Sequence, residues 1–154
     1  RMQNEVHLPT TLHTPHIRDE YLDFIHRTKT EHFGFNIDFG TFQYKAAKGM
    51  EDMTWLDFSD ITKPEEIVDF LPYSYVCHAK FTYMNENFEE ETIPYPEVIK
   101  LMVDNGWSGD LLSEYEGAIR FHAEEGPDKF AQAMVEIPDQ VRRHQIMLRN
   151  ILGY

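Results

Sequence analysis

Apolar positions along the chain fall into two alternating rhythms, short β-like runs and longer stretches at helical spacing. The first run is Asn4-Glu5-Val6-His7-Leu8, and after a loop bracketed by Pro9 and Pro15 a helix is expected from Arg18 to Thr30. Tyr21, Leu22, Phe24 and Ile25 would form its packed side, with Asp19 and Glu20 in the first turn, where the helix dipole favours negative charge. A second strand, Gly34 to Asp38, leads into a long loop with Gly40, Gly49 and Trp55, then a shorter helix from Pro64-Glu65-Glu66. A third strand, Tyr75 to Phe81, precedes a polar stretch from Asn85 to Thr92 and a helix that starts at Pro96 and stops at Asn105-Gly106. The fourth strand is Asp110 to Tyr115; a mixed loop then reaches Pro138, and a helix from Asp139 to Leu152 closes the chain.

Four consecutive strand-then-helix units predict an α/β fold with a parallel sheet and right-handed crossovers, and no composition shift divides residues 1–154 into more than one domain. In such sheets ligands bind beyond the carboxyl ends of the strands. Those positions carry Glu5, Asp38, His78 and Glu114, each about one strand-helix unit after the last. Because alternate residues share a face, Glu5 lies with His7, Asp38 with Asn36, His78 with Lys80, and Glu114 with Glu116. The other face carries Val6, Leu8, Phe35, Ile37, Cys77, Ala79, Phe81, Leu111, Ser113 and Tyr115, which suits packing against helices.

Three carboxylates and an imidazole meeting at one point would repel one another unless a cation sat among them. This donor set suits an octahedral Mn²⁺, Mg²⁺ or Co²⁺ ion. Taken singly, each residue could equally be a solvated strand end or a helix cap; the common register of all four argues for a shared ion. Glu5 and Glu114, from the first and last strands, could flank a substrate as acid and base. Proton removal beside a carbonyl, with the metal stabilising an enediolate, is the chemistry of sugar isomerisation and epimerisation. His7, Lys80 and Glu116 share the inward face and are candidate substrate-binding residues, Lys80 alternatively being ion-paired with Glu114 or Glu116.

Composition narrows the classes. A chain of 154 residues with 42% hydrophobic and 14% aromatic residues can build a core. The net charge of -13 disfavours binding to phosphate backbones, and one cysteine, Cys77, excludes a multi-thiolate zinc site. Cys77 is expected to be a buried apolar group. No apolar run is long enough for a membrane helix and no signal-peptide pattern opens the sequence, so a cytoplasmic protein is expected. His13, His16 and His122 fall in expected loops, Trp55 is a weak ring-stacking candidate, Trp107 should pack, and Arg142-Arg143 should form a solvated face.

At these residues the sequence resembles the xylose-isomerase-like TIM-barrel superfamily of sugar phosphate isomerases and epimerases. The carrying segments are Asn4-Glu5-Val6-His7, Asn36-Ile37-Asp38-Phe39-Gly40, Val76-Cys77-His78-Ala79-Lys80-Phe81, Gly109 to Gly117, and Val141-Arg142-Arg143-His144-Gln145. The resemblance implies that the family's metal ligands from strands five to eight fall on Glu5, Asp38, His78 and Glu114, with Glu5 and Glu114 also moving the proton. Many epimerases of this superfamily carry a histidine three residues after the strand-six carboxylate, whereas Thr41 stands here. A full barrel takes about 250 residues. The chain therefore corresponds to a C-terminal half of a TIM barrel, either truncated or completed by a second copy or a companion N-terminal half-barrel chain. Two further readings are a metal-dependent phosphodiesterase of the endonuclease-IV-like branch and a non-catalytic half-barrel assembly subunit.

Overall fold

A computed structural model describes residues 2–6, 15–47, 58, 61–117 and 127–154. Its elements are β1 (Met2–Val6), α1 (Pro15–Thr28), β2 (Phe33–Asp38), β3 (Ser74–Phe81), α2 (Tyr95–Asp104), β4 (Asp110–Tyr115) and α3 (Pro127–Leu152). The strands form one parallel sheet in the order β1-β2-β3-β4. This is the expected α/β arrangement and is compatible with a half barrel. Among the described residues, no helix is long and apolar enough to cross a membrane.

Several boundaries differ from expectation for identifiable reasons. Because α1 begins at Pro15, Asp19 and Glu20 lie beyond its first turn, which holds no acidic residue. Its end carries His26 and Arg27, the sign that the carboxyl end of a helix dipole favours. The segment from Pro64 to Tyr73 is a run of 3-10 turns with Pro72 inside it. A proline there removes an N–H and crowds the preceding turn, which works against a regular α-helix. Pro138, read as a helix start, instead lies inside α3, which begins at Pro127. One proline deletes a single intrahelical hydrogen bond, and the helix continues past it. His7, Leu8, His13, Gly49, Trp55 and His122 lie outside the described residues.

Strand alternation sorts the two faces of the sheet. Val6, Phe35, Ile37, Cys77, Ala79 and Phe81 are fully buried toward the helical layer. There they meet Ile25, Ile67, Phe70, Val98, Ile99 and Met102, and the Phe35 and Phe70 rings pack edge-on at 4.5 Å. Burial raises the Cys77 thiol to about 12, so the sulfur is an inert core atom, as expected. The β2–β3 register slips by one residue beside Phe35, where Gly34 passes so close that a Cβ would lie 2.3 Å from the Tyr73 carbonyl. At the amino end of β3, Trp107 packs as expected and its Nε1–H donates to the Ser74 carbonyl at 2.6 Å.

The Arg142-Arg143 pair is not a merely solvated face. Arg142 and Arg143 both bind Asp139, and Arg143 Nη1 also donates to the Asn85 carbonyl at 3.1 Å. Both guanidinium groups lie about 6 Å from the Phe88 ring centre. Gln140 exchanges hydrogen bonds with the Met84 backbone, so one turn of α3 anchors the loop that follows β3.

A second polar group of α3 is buried in the core. His144 is fully buried, stacked on Phe81 at 4.1 Å, and bonded through Nδ1 to Ser113 Oγ at 2.8 Å and through Nε2 to the Tyr95 hydroxyl at 2.9 Å. Burial depresses its pKa from 6.5 to about 3, so the ring is neutral in the folded state at ordinary pH. Below pH 6.5 the unfolded chain therefore takes up a proton that the folded chain refuses. The resulting stability is fully present above pH 6.5 and is lost as pH falls toward 3, by on the order of 5 kcal/mol in total. Urea unfolding at pH 7.5 and pH 5.0 should show this: wild type should lose about 2 kcal/mol more than His144→Phe over that interval. Parallel losses in the two proteins would mean that His144 is not held neutral in the core.

Candidate metal centre

The polar face of the sheet gathers its donors at the carboxyl ends of the strands. One ligand atom each from Glu5, Asp38, His78 and Glu114 lies within 4.8 Å of the others. Three inter-strand steps in a flat sheet would separate β1 from β4 by about 14 Å. The long side chains of Glu5 and Glu114 reach across this span and meet at His78 Nδ1 between them.

His78 Nδ1 is 2.8 Å from Glu5 Oε1 and 2.9 Å from Glu114 Oε2. An imidazole nitrogen has one in-plane direction to offer, and Glu5 takes it. Glu114 Oε2 is buried and, despite the short distance, receives no aligned hydrogen bond. Asp38 is fully buried. Its Oδ1 accepts the Gly40 N–H at 2.7 Å, and its Oδ2 lies 2.7 Å from Lys80 Nζ. Gly40 gives this turn room, because a Cβ there would come within 3.0 Å of Asp38 Oδ1 and 3.1 Å of Lys80 Cδ and would press on both side chains.

Lys80 is the point that sequence reasoning placed only in part. Its ammonium is 3.6 Å from Glu116 and 3.8 Å from Glu114, as anticipated, but its closest partner is Asp38 on the neighbouring strand. Burial pulls its pKa down, yet Asp38 first, then Glu116 and Glu114, outweigh burial and leave it above the ordinary lysine value. Asn36, inward on β2, was likewise missed as an organiser: its Oδ1 accepts the His78 backbone N–H at 3.0 Å and ties β3 to β2 below the donors. Inward polar side chains bonding to a neighbouring strand's backbone leave no periodic signal in the sequence.

Other anticipated residues are placed elsewhere. Thr41 is buried, pairs with Thr62 Oγ1 at 2.7 Å, and accepts the Thr62 N–H through its carbonyl at 3.2 Å, closing the loop after β2. His16 is exposed on α1 and is not one of the four converging groups. His7 cannot be placed because it lies outside the described residues.

The four donors suit a divalent cation. Metal–oxygen and metal–nitrogen bonds of about 2.1 Å in an octahedral shell put neighbouring donors about 3.0 Å apart and opposed ones about 4.2 Å apart. The 2.8 and 2.9 Å contacts lie close to the neighbouring-donor spacing, while the 4.8 Å outer limit exceeds the opposed-donor spacing, so the shell would have to tighten around an ion of this size. Charge points the same way, since Glu5, Asp38, Glu114 and Glu116 face one ammonium, Lys80, and one imidazole, His78. Glu5 and Glu114 are partly exposed whereas Asp38 is sealed, so solvent reaches the first two carboxylates and not the third.

No family model matches the chain. Part of it is similar to curated proteins. It is 34% identical over 86 residues to a C-glycoside deglycosidase alpha subunit of Microbacterium trichothecenolyticum, a match that covers 51% of this chain and 23% of that protein. A C-glycoside deglycosidase alpha subunit of Arthrobacter globiformis is 38% identical over 50 residues, 32% of this chain and 14% of the relative. A 3'-dehydrocarminate deglycosidase alpha subunit of a Microbacterium species is 34% identical over 55 residues, 36% of this chain and 16% of the relative. Each match therefore spans less than a quarter of the relative's length.

Proposed function

We propose that Glu5, Asp38, His78 and Glu114 bind one divalent cation, Mn²⁺, Mg²⁺ or Co²⁺, and that this centre serves a sugar-processing enzyme that removes a proton from carbon next to a carbonyl. The observation that carries the proposal is the convergence of the four donor atoms within 4.8 Å. The names of the relatives, all sugar deglycosidase subunits, support the substrate class.

When bound, the cation supplies Lewis acidity to the carbonyl oxygen and makes the neighbouring C–H more acidic. Glu5 or Glu114, the two accessible carboxylates, accepts that proton, and the C–H electron pair moves into a carbon–carbon double bond while charge collects on the carbonyl oxygen. Lys80, anchored by Asp38 at 2.7 Å and with Glu116 3.6 Å away, presents positive charge to a substrate oxygen. Asp38 is too buried to exchange protons with a substrate and acts as a fixed ligand.

From this common step two outcomes branch. Return of the proton to the neighbouring carbon isomerises or epimerises the sugar, the reading that the residues alone favour. Expulsion of a substituent one carbon further on cleaves a glycoside, provided that its sugar carries a ketone. The name 3'-dehydrocarminate deglycosidase describes a relative acting on a dehydro compound, which favours the second branch. A phosphodiesterase reading is weaker, because carboxylates outnumber histidines around the centre and repel phosphate.

The relatives' designation as alpha subunits also supports a companion chain, and a second half barrel packed on β1 and β4 would complete a TIM barrel. In analytical ultracentrifugation the protein should self-associate or bind such a chain. A stable monomer that holds its metal alone would contradict that part of the proposal. Calorimetric titration with MnCl₂ tests the centre itself: wild type should take up about one ion per chain, and Glu114→Ala or His78→Ala should weaken binding more than about a hundredfold. Unchanged binding in both variants would rule out this donor set.

A further inference from the structure

The centre is built on four strands, and the carboxyl-end segments of three of them, β2, β3 and β4, are met from outside by two buried polar residues, Tyr95 of α2 and His144 of α3. The direction of every hydrogen bond in this connection follows from chemistry. The Lys80 carbonyl can only accept, so the Tyr95 hydroxyl donates to it, at 2.6 Å. That hydroxyl must then accept from His144 Nε2–H at 2.9 Å, which leaves Nδ1 bare to accept from Ser113 Oγ–H at 2.8 Å. Ser113 in turn accepts from Gln145 Nε2. The relay is complete and has one orientation.

Its end points lie beside the metal ligands. Ser113 is the outward neighbour of Glu114, and Lys80 stands directly opposite Glu114 in the β3–β4 register. The Tyr95 ring also packs 5.2 Å from Phe39, the residue after Asp38, and His144 stacks on Phe81, the residue after Lys80. A connected polar path therefore runs behind the sheet from the base of Glu114 to the backbone that carries His78 and Lys80. An apolar pair could fill the same volume without desolvating a hydroxyl and an imidazole. Directional bonds add what apolar packing does not, a fixed spacing between strand ends.

We infer that Tyr95 and His144 are positioning residues that hold the ends of β3 and β4 at the separation at which Glu114 and His78 share one cation. The inference rests on the proposed metal centre and extends it to residues that touch neither metal nor substrate. Partners hydrogen-bonded directly to a ligand shift metal affinity about tenfold to a hundredfold when removed; Tyr95 and His144 act one residue further out, so the effect expected is at the low end, about tenfold.

The same strand supplies a matched control. Trp107 donates to the Ser74 carbonyl at the opposite end of β3, also at 2.6 Å, far from the ligands. MnCl₂ titration, Mn²⁺ electron paramagnetic resonance and thermal melting would be compared in wild type, Tyr95→Phe, Ser113→Ala, His144→Phe, His144→Gln and Trp107→Phe. Tyr95→Phe, Ser113→Ala and His144→Phe should each weaken Mn²⁺ by about tenfold and broaden its spectrum. His144→Gln, which retains an N–H able to reach Tyr95, should recover part of the affinity lost in His144→Phe. Trp107→Phe should melt earlier yet bind Mn²⁺ within about twofold of wild type, as expected of a bond that is not an outer partner of the metal. Wild-type affinity and spectrum in both Tyr95→Phe and Ser113→Ala would overturn the inference, as would losses that simply track melting temperature across all variants, Trp107→Phe included. If wild type itself binds no Mn²⁺, the metal centre fails and the inference falls with it, an outcome distinct from those two.

Discussion

Like-charge crowding at one rim is the constraint around which the rest of this molecule is arranged. Two carboxylates about 4 Å apart repel by about 4 kcal/mol at an effective dielectric of 20, and the fold brings three to one imidazole with a fourth, Glu116, close behind. Part of the cost is met internally. Asp38 is answered by Lys80 and the Gly40 N–H, and Glu5 by His78 Nδ1. Glu114 Oε2 is left buried without an aligned donor, and a divalent ion placed among these groups would satisfy it.

The scaffold makes that crowding possible by separating its two tasks. On β2 and β3 one face is apolar and buried against the helical layer, which supplies the stabilising area, and Val6 of β1 joins it; the opposite face of the sheet bears the donors. Side chains of β1 and β4 meet at His78 although two strands lie between their backbones in the sheet order. Behind the sheet, the Ser113–His144–Tyr95 relay and the Arg143 and Gln140 contacts fasten strand ends and the following loop to α2 and α3. These polar groups of the helical layer lie behind the strand ends that carry the donors.

Much of this was readable in the sequence because it is periodic. Four β-like runs alternating with helical stretches give the parallel order, and period-two alternation separates Cys77 and Phe81 from His78 and Lys80. The clustering of Glu5, Asp38, His78 and Glu114 follows from their place at the strand ends. What escaped is local or non-periodic. Pro138 resembles a helix start whether or not eleven residues of helix precede it, and the 3-10 run before Tyr73 shares its apolar pattern with an α-helix. The preference of Lys80 for Asp38 over Glu114 depends on the pairing register of the strands, which spacing along the chain does not encode. His144 shares the helical face of Val141 and Leu148, and its role as a core relay follows from Ser113 and Tyr95 meeting it from two other elements, which spacing along the chain does not encode.

Anomalous diffraction from crystals of the chain grown with MnCl₂, collected on both sides of the manganese edge, addresses the central claim most directly. The account predicts one strong anomalous peak within coordinating distance of Glu5, Asp38, His78 and Glu114. Density at full manganese occupancy elsewhere, or no peak among those four side chains while Lys80 alone balances them, would contradict it.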